Sequence, residues 1–213
     1  MLDTLVIGTS NPGKRREIQA LLEGSSLHLV FSNVASPEET GSTFFDNALI
    51  KARATAECES ARFPPHTFFA GEDSGICVPA LGGAPGIYSA RYSLLPVHAQ
   101  AAKRFGAGSS IDVMNNQCLL EALASLPTSD RSAYYESRLV VVNASGEVIG
   151  ATSGRAHGVI LSAPRGTQGF GYDPIFQDLQ GDCWGMLDPQ LKNRRSHRAK
   201  AFEALLTVLR LAR

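Results

Sequence analysis

The run "TLVIGTSNPGKRREIQALLEG", residues 4–24, constrains the fold more than any other part of the chain. It opens with apolar and β-branched residues, then changes pattern abruptly. Asn11 suits a helix N-cap, and Pro12 suits the first helical position, where a missing N–H costs nothing. Ile18, Leu21 and Leu22 recur at helical spacing and Gly24 reads as the stop. A strand therefore feeds a helix through a tight loop. "LHLVFSNV" reads as a second strand. Thr43-x-x-Asp46 predicts a capping box opening the helix "FFDNALIKARATAECESAR", with Phe45, Leu49 and Ala52 turned inward. "HTFFA" reads as a third strand that ends at the acids Glu72 and Asp73. Segments 97–105 and 111–125 read as helices, the second carrying Met114, Cys118, Leu119 and Leu123. "SRLVVVNASGEVIGATSG" is strand, turn, strand, with Ala144, Ser145 and Gly146 in the turn. The last helix is capped by Ser196 and striped by Ala199, Phe202, Leu205, Leu206 and Leu209. Helices at both ends with strands between them give an α/β class, and no repeat or linker divides residues 1–213.

The chain's 213 residues suit one sizeable domain. Twenty basic and twenty acidic side chains cancel, which argues against stable nucleic-acid binding. The four cysteines form no C-x-x-C pair, the usage expected of reduced, mostly buried thiols in a cytoplasmic protein. "MLDTLVIGTS" lacks the basic start and long apolar core of a secretory signal, and no apolar run approaches the ~20 residues that span a bilayer. No membrane partner is expected.

Three segments carry candidate chemistry. "GTSNPGKR" spells G-x-x-x-x-G-K but continues with Arg15, not the Ser or Thr that would bind Mg²⁺ in a P-loop. A strand–loop–helix start still offers free backbone N–H groups and the positive end of a helix dipole. Thr9, Ser10 and Asn11 add side-chain donors and Lys14 adds a charge. The segment alone fits either an anion site or an ordinary capped helix with a solvated basic face. In "GEDSGICVPALGGAPGIYSARYS", Glu72 and Asp73 precede a run rich in Gly and Pro. Carboxylates there can hold Mg²⁺, with further oxygens from Glu38 and Glu39 of "SPEETGSTF"; the alternative is four solvated loop acids. A metal would neutralise charge on a polyphosphate, and a carboxylate beside the attacking water could deprotonate it. In "GTQGFGYDPIF", Phe170 can stack on a base and Asp173 can read a polar edge, although Gly-Tyr-Asp-Pro also marks ordinary turns. "KNRRSHR" sets His197 and Arg198 just after the cap of the last helix.

Taken in order, "TSNPGK", "EETGSTFFDNALIKA", "EDSG", "LGGAPGIYSARYS", "GFGYDPIF" and "KNRRSHR" resemble the inosine/xanthosine triphosphate pyrophosphatase family. They span residues 9–198, nearly the whole chain. The resemblance implies a Mg²⁺-dependent hydrolase cutting ITP, dITP or XTP between the α- and β-phosphates, to monophosphate and pyrophosphate. It also implies an elongated α/β fold with a central mixed sheet flanked by helices, a substrate cleft between two lobes, and a homodimer. By that resemblance Thr9, Ser10, Asn11, Pro12, Gly13 and Lys14 match the phosphate-binding loop. Glu38 and Asp73 match the metal carboxylates, Asp73 also the proton acceptor, and Ser74 a substrate contact. Phe170, Gly171, Tyr172 and Asp173 match the base-binding segment, and Lys192, His197 and Arg198 the remaining substrate contacts. Asn47 and Lys51, four apart on one helical face, can both look toward the substrate.

Inosine and xanthosine carry an oxygen at the purine six-position, where adenine carries an amino group. A donor there favours the oxo purines, and Arg198 is the candidate because guanidinium cannot become an acceptor. The sequence departs from the family in three places. Glu72 stands where the family usually has Asp, Asp46 where relatives commonly carry Glu, and the segment 94–110 is longer than in a compact relative. The alternatives are a pyrophosphatase for other modified nucleotides, a P-loop-like NTPase releasing orthophosphate, and a non-catalytic nucleotide or nucleic-acid binding module.

Overall fold

The structure is a computed structural model that describes residues 3–35, 37–105, 109–124 and 130–211. Its strands are β1 (Asp3–Gly8), β2 (Leu27–Ser32), β3 (Phe68–Cys77), β4 (Ser132–Val142), β5 (Val148–Ile160) and β6 (Phe176–Asp178). Its helices are α1 (Pro12–Leu22), α2 (Phe44–Glu59), α3 (Ala99–Phe105), α4 (Ile111–Ala124), α5 (Pro189–Arg195) and α6 (His197–Leu211). The strands form one mixed sheet in the order β2-β1-β3-β4-β5-β6. β1 runs parallel to both β2 and β3, while β6 is antiparallel to β5. The chain thus has the mixed-sheet α/β class expected of it. It divides into two compact units, and β3, β4 and β5 contribute residues to both.

The first unit holds the residues up to Asp73, Ser137–Arg155, and those from Asn193 on. Alternation along its strands sorts two layers. Val6, Phe69, Val140 and Val142 pack with Ala48, Ala52 and Ala56 of α2. Leu5, Ile7, Ala70, Leu139 and Val141 pack on the other face with Ile18 and Leu22 of α1 and Phe202, Leu205 and Leu209 of α6. The predicted caps are all present. Asn11 Oδ1 accepts from Lys14 N at 3.1 Å, Thr43 and Asp46 close a reciprocal capping box, and Ser196 Oγ accepts from Ala199 N at 3.0 Å.

Two expectations about this unit need correction. The inward residue at the start of α2 is Phe44, and Phe45 is exposed. The buried stripe of α2 includes Asn47, Lys51, Thr55 and Glu59, polar residues that a hydrophobic pattern passes over. β3 also does not end at the acids. It continues to Cys77, with Glu72 and Asp73 buried inside the strand.

The second unit holds Ser74–Glu136 and Ala156–Lys192. Its core includes Ile76, Tyr92, Cys118, Leu119, Leu123, Tyr135, Phe176 and Trp184. Asn115 of α4 fastens the 3₁₀ stretch Gly86–Leu94: its Oδ1 accepts from Ser93 N at 2.8 Å and its Nδ2 donates to Ser89 O at 3.2 Å. The longer segment 94–110 contains α3 and the ion pair from Arg104 to Glu121 of α4, at 2.8 Å. Residues 106–108 lie outside the described ones, as does Ser125, the expected last residue of the second of these helices. All four cysteines are free; Cys77, Cys118 and Cys183 are buried and Cys58 is exposed.

Glycine sets how closely α2 lies against the sheet. A Cβ on Gly71 would stand 2.1 Å from Ala48 O and 2.5 Å from Ala52 N, and one on Gly8 would stand 2.2 Å from Thr55 Oγ1. Gly71→Ala must therefore push backbone off backbone. We expect it to lower the unfolding free energy by about 1–3 kcal/mol in equilibrium urea titration. A loss below ~0.5 kcal/mol, the ordinary scatter of surface changes, would show that α2 can move away without consequence.

Candidate active site

Neighbouring residues of a strand point to opposite faces, so Glu72 and Asp73 cannot share an environment. Glu72 lies on the α1/α6 side. Its Oε2 meets Lys14 Nζ at 2.8 Å, its Oε1 accepts from Ser137 Oγ at 2.8 Å, and the same Oε1 lies 3.2 Å from Arg198 Nε and Nη2. Arg198 Nη1 also pairs with Glu17. Burial by itself would raise the Glu72 pKa, but Arg198 and Lys14 outweigh it and hold the carboxyl well below the usual carboxylate range. Burial works against Arg198 as well, and Glu72 and Glu17 raise its pKa.

Asp73 lies on the α2 side. Its Oδ1 takes Lys51 Nζ at 2.8 Å, and its Oδ2 accepts from Asn47 Nδ2 at 3.2 Å. Lys51 Nζ also meets Glu39 Oε1 at 2.6 Å and donates to Glu72 O at 3.4 Å. Here burial wins: it raises the Asp73 pKa against the opposing pull of Lys51 and Lys14. Two adjacent acids are thereby pushed in opposite directions, the Glu72 pKa down and the Asp73 pKa up.

The loop before α1 supplies the remaining predicted residues of the first unit. Thr9 is buried, its Oγ1 accepting from Asn11 N at 3.3 Å. Ser10, Asn11 and Pro12 are exposed, Gly13 is buried and Lys14 is half-buried. Arg15, which breaks the P-loop pattern, donates from Nε to Thr9 O at 2.7 Å and from Nη2 to Ser32 O at 2.8 Å, which braces the loop against β2. His197 opens α6 and is buried. Gly154 of β5 has no room for a Cβ, which would fall 2.1 Å from His197 O.

Glu38 and Glu39 separate in the structure. Glu38 is exposed, whereas Glu39 is half-buried and joins Lys51. Among the described residues, no group of three or more His, Cys, Asp or Glu side chains is placed to hold a metal. Two carboxylates nevertheless converge on one cation, Lys51 Nζ. A pair of that kind suits Mg²⁺, which is usually bound by one or two carboxylates, with water and phosphate oxygens filling its other positions. Glu72, by contrast, already faces two cations and Ser137.

The other predicted residues assemble in the second unit. Gly169 and Gly171 take positive φ, 77° and 62°, and a Cβ on Gly169 would stand 2.0 Å from Asp173 Oδ2. The turn so formed lets Asp173 Oδ2 accept from Phe170 N at 2.9 Å while also meeting Lys192 Nζ at 2.9 Å. Asp173 Oδ1 accepts from Tyr135 OH at 3.2 Å. Lys192 Nζ lies 4.8 Å from the Phe170 ring centre and 5.3 Å from that of Trp184, so both rings contribute cation–π attraction. Gly171 N donates to Asp112 Oδ2 at 2.8 Å, and Tyr172 OH donates to Ser89 O at 2.9 Å. Ser74, the next residue of β3, is half-buried.

Arg198, the candidate reader of the purine, stands in the buried charged cluster of the first unit. It is 1% exposed and held by Glu17 and Glu72, so a base could reach its donors only by loosening those pairs. Sequence reading overlooked Glu17, Ser137, Tyr135 and Trp184. Glu17 alone left a signal, three residues beyond Lys14 on one helical face.

A strand carrying an acid to each face, each acid met by cations from the flanking helices, defines an α/β protein built around a buried charged centre. The Ham1 family profile matches residues 5–208, and the chain belongs to the Ham1 family. The dITP/XTP pyrophosphatase of Bordetella pertussis is 39% identical over 218 residues, covering 98% of this chain and 92% of that protein. The dITP/XTP pyrophosphatase of Pseudomonas aeruginosa is 41% identical over 210 residues, covering 96% and 95%. Among solved structures, a HAM1 protein from Coxiella burnetii superposes with a TM-score of 0.79 at 35% identity, covering 98% of this chain and 99% of that one. The Staphylococcus aureus Ham1 protein gives 0.76 at 30% identity, covering 99% and 100%.

The depressed Glu72 pKa has a definite pH signature. The folded protein binds that proton more weakly than the unfolded chain does. The stability Glu72 contributes is therefore present above the ordinary glutamate value of 4.5 and is lost as pH falls through the folded value. We expect Glu72→Gln to cost roughly 3–5 kcal/mol at neutral pH, by stranding buried cations. Its stability should also fall less steeply with acid than that of the wild type, measured by urea unfolding from about pH 6 down to about pH 3. Parallel acid slopes for the two proteins would contradict the assignment.

Proposed function

We propose that this chain hydrolyses noncanonical purine nucleoside triphosphates, dITP, ITP and XTP, to the monophosphate and pyrophosphate, and so cleanses the nucleotide pool. The observation that carries the mechanism is the divergence of the two acids on β3. Burial raises the pKa of Asp73, the direction that suits a general base. Water attacks the α-phosphorus, Asp73 takes its proton, the bond from that phosphorus to the α,β-bridging oxygen breaks, and pyrophosphate leaves. Asn47 orients Asp73 through Oδ2. Lys14 and Lys51, both beside these acids, are the cations that meet the phosphate oxygens.

Asp73, with Glu39 or the adjacent Glu38, would hold Mg²⁺. When bound, the metal neutralises charge on the phosphoryl oxygens. Phe170, in the frame that Asp173 and Lys192 set, is the candidate to stack on a base. Arg198 acts chiefly by keeping Glu72 ionised. A homodimer in the cytoplasm belongs to the same proposal. Four free cysteines suit a reducing compartment, and no described helix is long and apolar enough to cross a membrane.

Products decide among the readings. With Mg²⁺ and a panel of triphosphates, we expect ITP, dITP and XTP to give monophosphate and pyrophosphate with ATP nearly untouched; orthophosphate as the first product would point to a P-loop-like NTPase. Asp73→Asn should lower kcat by about 10²–10⁴-fold, the usual contribution of a general base, with an unchanged circular-dichroism spectrum. Retained turnover would remove Asp73 from the chemistry.

A further inference from the structure

Lys51 is a buried lysine whose ammonium is held almost wholly by oxygens. Glu39 Oε1 lies at 2.6 Å, Asp73 Oδ1 at 2.8 Å and the Glu72 carbonyl oxygen at 3.4 Å. Two carboxylates and a carbonyl around one positive centre are also the donors that a hard divalent cation prefers. We propose that the Lys51 ammonium is the resident stand-in for the metal. It occupies the cation position between Glu39 and Asp73 while no divalent ion is bound, and it leaves that position when one binds. The inference rests on the proposed function with Glu39 as the partner of Asp73 and adds an exchange step to it.

Three features of the chain suit Lys51 to that exchange. Its backbone is fixed, because Thr55 Oγ1 donates to Lys51 O at 2.8 Å and Gly71 lies directly under its Cβ. Only the flexible four-carbon stem has to swing, so the ammonium can move while the helix stays. Asp73 stays aligned when the ammonium departs, because Asn47 Nδ2 holds its other oxygen at 3.2 Å. Asn47 Oδ1 also accepts from Gly41 N at 2.9 Å, which ties the loop carrying Glu39 to the same helix. The one carboxylate oxygen that changes partner on Asp73 is thus the one facing Lys51.

The electrostatics need such a stand-in. Without the metal, two partly desolvated carboxylates facing each other would repel, and burying them unpaired is unfavourable. Lys51 relieves both effects. The arriving divalent ion brings twice the charge, and the ammonium is then free to turn toward an anion such as the substrate's phosphates.

The test is Mn²⁺ binding to the nucleotide-free protein, read by the electron-spin resonance of free Mn²⁺, together with melting temperature with and without Mg²⁺. Lys51→Met keeps the stem and removes the competing charge. It should melt below the wild type without metal and recover with Mg²⁺. It should also bind Mn²⁺ about tenfold more tightly than the wild type, the factor that about 1.4 kcal/mol of released ion pairing gives. Lys51→Gln should behave in the same way and serves if the methionine variant does not fold. Equal or weaker Mn²⁺ affinity in the variants overturns the stand-in role while leaving the metal pair in place. If neither wild type nor variants bind Mn²⁺, or if Asp73→Asn leaves wild-type binding unchanged, the metal pair itself fails and the exchange fails with it.

Discussion

Two ionised side chains at adjacent positions of a buried strand impose a requirement that the rest of the first unit answers. Because alternation sends Glu72 and Asp73 to opposite faces, each must find its cation in a different layer. Glu72 draws the start of α1, through Lys14, and the start of α6, through Arg198. Asp73 draws α2, through Lys51 and Asn47. The pairing is unequal. Glu72 faces two cations and a hydroxyl, so its charge is fixed, whereas Asp73 shares Lys51 with Glu39 and sits nearer to taking up a proton. The proposed mechanism thus gives a structural and a chemical role to neighbouring acids, which the strand separates.

That division depends on how closely α2 approaches the sheet. Gly8 and Gly71 beneath it, with Ala48 and Ala52 on its inner stripe, bring helix and strand backbones together. Asn47 and Lys51 each neighbour one of those alanines, so the contact that packs the layer also carries both side chains to Asp73. Packing and site geometry here are one constraint, and a methyl group at Gly71 would disturb both.

Local chemistry was legible in the sequence. Asn11 before Pro12, Thr43 with Asp46, and Ser196 ahead of α6 act within a few residues of themselves, and each stands where the pattern placed it. The order of the motifs also pointed to the right family. What the pattern missed follows from burial of polar groups. Asn47, Lys51 and Glu59 lie on the inner face of α2, so hydrophobic spacing favoured Phe45 over Phe44. Two acids flanked by glycines looked like a loop, although partners remote in sequence make them tolerable inside β3. The different surroundings of Glu38 and Glu39 were not legible either. Adjacent loop residues share composition and lack periodicity, and only the position of Lys51 distinguishes them.

Among the described residues, each unit contains one buried lysine that faces an aspartate, and the two differ in their surroundings. Lys192 meets Asp173 at 2.9 Å and also faces the rings of Phe170 and Trp184, and Trp184 is itself stacked on Tyr135 at 5.1 Å. Mg²⁺ demands oxygen ligands and sheds water reluctantly, so aromatic faces that suit an ammonium offer it almost nothing. The ring contacts of Lys192 give Phe170 a support that the oxygen cage of Lys51 lacks. Lys51 is held by oxygens that either cation can use, so its position is open to competition. The exchange proposed for Lys51 thus turns on its surroundings, and not on the residue type.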